Sequence, residues 1–353
     1  MEHNLHTFKK RYLMVLVGCI FSLNGMALDF EIDGLVYQTT AEKEVSVGGN
    51  PENCRGDINV PETVTYEGIT YTVTSVPRLG FRDCIYLTSI ILPQTVKAID
   101  SNSFAFCTNL SSVTLPDDIK KIGNLTFAFC YSLVSINLPK NLEIIGTYAF
   151  ERCFSLKSIT IPDKVTDIYP SAFVECTALT SVKMSDGIKV IAHDAFYGCS
   201  ELTSINIPNS VTTIEEFAFA GCSKLTSINI PDNMTIIEKG VFSGCELLTS
   251  IDIPDGITTI EKEAFSGCKG LTSIKLPDHI TAIEDYTFYS CEKLASVNIP
   301  EGVTKIGEGA FEKCKELTSI TFPKSVTSIG EKAFADCTQL TEIRSKNSTP
   351  PHL

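Results

Sequence analysis

Cysteine recurs at one fixed interval through most of the chain, from Cys84 and Cys107 to Cys314 and Cys337, each 23 residues after the last. No insertion or deletion breaks the series. Three residues before each cysteine stands a phenylalanine, from Phe81 to Phe334, and three residues after it a leucine, from Leu87 to Leu340. A strict short period describes one small supersecondary unit stacked on copies of itself, a solenoid in which each unit touches only its neighbours. Such a rod presents surface, and this argues against an enzyme before any site is considered.

The repeat Leu225 to Leu247 shows what one unit must be. Its apolar positions are Leu225, Ile228, Ile230, Met234, Ile237, Val241, Phe242 and Cys245, with Pro231 between two of them. Ser227-Ile228-Asn229-Ile230 alternates polar and apolar, so it reads as a short strand with one buried face. Proline ends that strand because it has no N–H for the next rung. The proline column runs from Pro93 to Pro323, with Ser185 as its one exception. The second half fits another extended or tightly turned segment, followed by a helical or 3₁₀ turn at the Ala-Phe position. Stacked about 4.7–4.9 Å apart, the apolar columns become continuous ladders, and twelve coils make a rod on the order of 55–60 Å long. Short parallel strands on one side and bulkier turns on the other predict a curved rod with the strands on the concave face.

In an exported chain many cysteines normally mean disulfides. An in-register ladder instead holds neighbouring side chains parallel, and cysteine fills tight core positions as a small hydrophobe. The ladder is therefore expected to be buried free thiols. No CxxC pair and no histidine column offers a zinc site. Cys54 stands outside the ladder as a lone thiol.

The ends read as follows. Lys9-Lys10-Arg11, the apolar stretch Tyr12 to Leu23 and small residues Gly25 and Ala27 form a secretory signal over residues 1–27, cut after Ala27. Leu16-Val17-Gly18-Cys19 also resembles a lipobox, which would put a lipid anchor on Cys19. Residues 28–76 are expected to cap the stack with hairpins around Asp33-Gly34 and Glu67-Gly68. Val73 and Val76 there already occupy the columns of Val96 and Ile99. The solenoid then spans 77–343 and a short tail 344–353, in which Thr349-Pro350-Pro351 either folds back over the last coil or leads into further protein. No second segment is long and apolar enough to span a membrane. A net charge of −13 and the absence of tryptophan weigh against nucleic acid and against a stacking platform for sugars or bases.

The unit LxxIxIPxxVxxIxxxAFxxCxx resembles the BspA-like leucine-rich repeats over residues 64–343, with the Pro, Ala-Phe and Cys columns all included. The resemblance implies a secreted or surface-exposed bacterial protein with a role in adhesion to host matrix proteins or in co-aggregation. The shared residues are the buried ones, so it does not specify a ligand.

Two surface features are candidate sites. On the concave face one column is serine from Ser89 to Ser319, and the next varies. The central coils, with Ser204, Asn206, Ser227, Asn229, Ser250, Asp252, Ser273 and Lys275, form the expected footprint of an extracellular protein or glycan. The second is an acidic stripe of Glu215, Glu238, Glu261 and Glu284, expected to be a solvated edge. A weak calcium site or a strip for a basic partner are its other readings. His193 and His279 lie in different columns, four coils apart, and cannot converge on a metal. Neither a catalytic site nor a cofactor is expected. The function read from the sequence is a secreted or surface binding module, with a structural spacer as the alternative.

Overall fold

The computed structural model describes residues 27–347; the signal segment, Cys19 and Thr349-Pro350-Pro351 lie outside them. The described chain is a β-solenoid with no helix among the described residues. It begins with six strands: β1 (Asp29–Ile32), β2 (Leu35–Ala41), β3 (Glu44–Gly49), β4 (Arg55–Asn59), β5 (Thr63–Tyr66) and β6 (Ile69–Val76). β1–β2 and β5–β6 are antiparallel hairpins. At their turns Asp33, Gly34, Glu67 and Gly68 all have positive φ, the conformation whose twist matches the flanking strands. β4 pairs in parallel with β7 (Tyr86–Ile91), and β6 with the strand Ala98–Ile99, Val76 lying opposite Ile99. The first coil is thus templated on both of its strands.

Each coil then repeats three segments. The first strand carries the Ser-Ile pair, as in Ser204–Ile205 against Ser227–Ile228. Proline stops it and its carbonyl accepts the N–H three residues on, as Val211 to Pro208 at 3.0 Å. Ser185 makes the same turn without the ring. A second two-residue strand follows, as in Val190–Ile191 against Thr213–Ile214. The last first-column strand is Glu342–Ser345, paired with Ser319–Phe322, so the stack continues two residues beyond the boundary read at 343.

The third segment corrects the expected 3₁₀ turn at Ala-Phe. It consists of two successive tight turns, each passing through a left-handed residue. Leu79 and Asp83 hold these places in the first coil, Ser171 and Glu175 midway, and Lys332 and Asp336 in the last. A left-handed side-chain-bearing residue costs roughly 1 kcal/mol or more. What offsets this cost is a ladder of forward hydrogen bonds. The N–H groups of Asn102, Phe104 and Phe106 donate to the carbonyls of Asn124, Thr126 and Ala128 in the next coil, each at 2.9 Å. In the four coils after that of Glu175 glycine takes the second left-handed place, at Gly198, Gly221, Gly244 and Gly267, where it meets no steric penalty.

Inside, the phenylalanines from Phe81 to Phe334 stack face to face, their planes within 2–19° of parallel and their centroids 5.1–6.3 Å apart. Beside them the cysteines are free and buried, Cys337 partly so. From Cys107 onward each thiol donates to the carbonyl of the phenylalanine 26 residues earlier, as Cys107 to Phe81 at 3.0 Å and Cys222 to Phe196 at 3.3 Å. Burial pushes the Cys222 and Cys268 thiols up to about 12, so they stay protonated and inert.

The widest step in the phenylalanine stack, 6.3 Å, separates Phe219 from Phe242. There Val241 stands in a column held elsewhere by alanine, as at Ala218 and Ala264, or by Gly80, Ser103, Thr126 and Thr287, and Met234 in the column of Val211 and Ile257. The second-strand ladder, unbroken from Lys121–Ile122 to Thr213–Ile214, stops there and resumes at Ile236–Ile237. The turn-side bonds cross the seam intact, Phe219 N–H to Val241 carbonyl at 3.0 Å among them.

Two stability measurements follow from this packing. Phe219→Ala is expected to cost about 3–5 kcal/mol in urea unfolding, the cost of a core cavity of that size; a change under 1 kcal/mol would mean the ring is not buried. Gly244→Ala is expected to lose about 1 kcal/mol from left-handed strain alone, since a Cβ there would come no closer than 3.5 Å to its nearest neighbours, in Gly221. Equal stability of wild type and variant would remove the strain argument.

Candidate functional site: the strand-side groove

Because the strand face alternates inward Ile and outward polar residues, its chemistry is set by the two outward columns. Over the central coils it dips into an open groove of about 520 Å³. Ser204, Asn206, Ser227, Asn229 and Asp252 line it, joined by Asp232 from the turn that follows the first strand. The other three predicted residues, Ser250, Ser273 and Lys275, are exposed on the same face but do not line the groove. Lys275 instead reaches Asp255 at 3.3 Å, an exposed pair of small energetic value.

Asn229 has a structural task that its sequence position does not reveal. Its Nδ2 donates to the Ile207 carbonyl at 2.7 Å and its Oδ1 accepts the Ile207 N–H at 2.8 Å. In the coil of Ile161 the equivalent N–H bonds the backbone carbonyl of Lys183 at 2.8 Å. The Asn229 carboxamide has taken over that rung. The remaining groove donors and acceptors are the hydroxyls of Ser204 and Ser227, the Asn206 amide and the carboxylates of Asp232 and Asp252. They form an open, polar, net acidic surface suited to hydrogen-bonded recognition.

The acidic stripe is assembled as its column implies, with all four glutamates half-buried. Burial, then the neighbouring carboxylates of Glu261, Glu216 and Glu215, raise the Glu238 carboxyl above its usual value. The stripe is partly neutralised. Lys305 lies 3.3 Å from Glu284, and Lys262 2.7 Å from Asp285 beside it. Glu215 accepts the His193 N–H at 2.8 Å. His193 faces Asp194 at 3.0 Å, and His279 is exposed elsewhere. No group of three or more potential metal ligands converges among the described residues. No helix there is long and apolar enough to cross a membrane.

Two further surface features emerge in three dimensions. A groove of about 630 Å³ gathers Lys97, Lys120, Lys121 and Lys164 around Asp118 and Asn141. Several of these charges are already satisfied, Lys97 by Asp118 at 2.8 Å and Lys120 by Glu143 at 3.3 Å. The column shared by Lys97 and Lys120 was the signal available in the sequence. On the turn side, Arg82 lies over Phe106, which stacks on Phe129 at 4.4 Å, and Arg152 covers Phe129 and pairs with Glu175 at 2.7 Å. These residues sit at positions where the repeat pattern is free, so periodicity alone could not mark them.

Comparison with known proteins agrees with this architecture. Three overlapping stretches, residues 63–180, 166–281 and 258–350, match the BspA type leucine-rich repeat region. A leucine-rich repeat protein from Bacteroides ovatus is 33% identical, with 90% of this chain and 88% of that one aligned and a TM-score of 0.76. A leucine-rich cell surface protein from Faecalibacterium prausnitzii is 30% identical over 91% of this chain and 95% of its own, with a TM-score of 0.64. The pneumococcal vaccine antigen PcpA, at 18% identity, 92% and 89% coverage and a TM-score of 0.59, shares the fold. No curated protein sequence matches the chain. With its repeat columns, its hydrogen-bonded coils and these alignments in agreement, the chain belongs to the BspA-type leucine-rich-repeat family.

Proposed function

We propose that this protein is a binding or adhesion module, exported to the cell surface or beyond it, that holds an extracellular protein or glycan in its strand-side groove. The observation that carries the reading is the groove itself. It is a polar depression spanning the coils of Ser204, Ser227 and Asp252, on a rod whose ladder thiols point inward and are buried, Cys337 partly so. Solenoids of this kind bind along their extended faces, because stacked coils offer many small contacts in fixed geometry. A similar protein carries the description of a cell surface protein, which supports export. The lipid anchor on Cys19 and cleavage after Ala27 remain the two routes by which the amino end would be processed.

Asn206 and Asp252 are the residues to change, because both are exposed and neither holds up the backbone. Asn229 is unsuitable, since its amide supports Ile207. On an array of extracellular-matrix proteins and glycans, wild type is expected to bind at least one component, and the double variant Asn206→Lys, Asp252→Lys to lose it by more than tenfold. Binding that survives in the double variant but falls with Lys120→Glu, Lys121→Glu would place the site in the lysine groove. Silence across the array would favour a structural spacer.

A further inference from the structure

Cys84 is the one member of the cysteine ladder with no phenylalanine carbonyl to donate to. Cys107 through Cys337 each use the phenylalanine of the preceding coil, but before Cys84 there is no such coil. Its thiol lies beside Cys54 instead, the two sulfurs facing the same point at Gly49. Cys54, far from being an isolated thiol, forms the foot of the ladder.

The surroundings are shaped for this pair. Cys54 immediately precedes β4 and Cys84 lies two residues before β7, strands that pair in parallel with Arg55 opposite Tyr86. Continued one residue back, that register sets Cys54 beside Ile85, the neighbour of Cys84, on backbones about one strand spacing apart; disulfides bridge Cα atoms 4.4–6.8 Å apart. Gly49 stands against both sulfurs. A Cβ there would come within 2.7 Å of the Cys54 sulfur and 2.8 Å of the Cys84 sulfur. Both thiols are buried, Cys54 at 1% exposure and Cys84 at none.

We infer that Cys54 and Cys84 are a disulfide site, closed when the chain folds in the presence of a disulfide oxidant, which bonds the amino-terminal cap covalently to the first coil. The inference rests on the export reading only for where the oxidant is met. The steps balance. The Cys54 thiolate attacks the oxidant's disulfide and expels one thiolate. Cys84 then attacks the Cys54 sulfur of the mixed disulfide and expels the second. Two electrons pass to the oxidant, and the protons of Cys54 and Cys84 end on its two released thiols. Either thiol can make the first attack, and the balance is the same with the two exchanged. Once β4 is docked neither sulfur is accessible, so the exchange takes place before the cap closes.

The rest of the ladder lacks this arrangement. Its neighbours stack in register, and their S–H groups are held by carbonyls. Cys153 and Cys176 approach one another, but Cys153 donates to Phe127 at 3.2 Å and Cys176 to Phe150 at 3.1 Å.

The test is refolding of the purified chain from urea with a mixture of reduced and oxidised glutathione. The product is then alkylated under denaturing conditions and digested with trypsin. A linked pair of peptides 44–55 and 83–97 is expected, with the other ladder cysteines alkylated. The refolded wild type should lose several degrees of Tm on adding reductant, and Cys54→Ser should show no such response. Recovery of both peptides alkylated, or a linkage elsewhere such as Cys153–Cys176, would overturn the inference. Because the experiment uses no cell and no ligand, its failure leaves the adhesion reading standing, and the reverse also holds.

Discussion

The structure depends first on the hydrogen bonds that the turn segment sends forward into the next coil. The strands are only two or three residues long in most coils, and their pairing is interrupted repeatedly along the rod. The turn side keeps its bonds coil after coil, from Phe81 N–H on the Ser103 carbonyl to Phe311 N–H on the Ala333 carbonyl. The left-handed residues make this possible by aiming alternate N–H groups along the axis. An unpaired buried backbone group costs about as much as a lost hydrogen bond, so a full ladder can support two strained residues per coil. The phenylalanine stack and the thiol-to-carbonyl bonds then fill the space beneath it.

Much of this was legible in the sequence, because buried columns must repeat when every coil meets the same neighbours. The Phe, Cys, Leu and Pro columns announced the period, the strand, its stop and the core. The conformation of the Ala-Phe segment was not legible. Residues as different as Leu125, Tyr148, Asp194 and Phe217 hold the same left-handed place, and hydrogen bonding to the next coil, invisible in any single repeat, decides it. Only the glycines from Gly198 to Gly267 hinted at it. Cys54 was misjudged for a related reason. Its partner lies 30 residues away rather than 23, so an argument from period could not connect them.

The candidate groove illustrates the same limit. Its position followed from the alternation of the strand face, but which side chains are free to recognise a partner did not. Asn206 and Asn229 share a column and a chemistry, yet only the second holds a rung of the backbone. Polar columns in a solenoid serve both the stack and the surface, and hydrogen-bond bookkeeping separates the two uses.

The seam at Val241 gives the rod a mechanical asymmetry. The second-strand ladder lapses there and the phenylalanine rings stand furthest apart, while the first strands, Ser204–Ile205 on Ser227–Ile228, and the turn-side bonds stay paired. The two coils are fastened along the first strand and the turns, and loosened only along the second strand between them. The groove spans this seam, since Ser204 lies on one side of it and Asp252 on the other. At that step the groove is braced by the paired first strands and by the Asn229 carboxamide on Ile207, so slack in the neighbouring ladder does not part its first two coils.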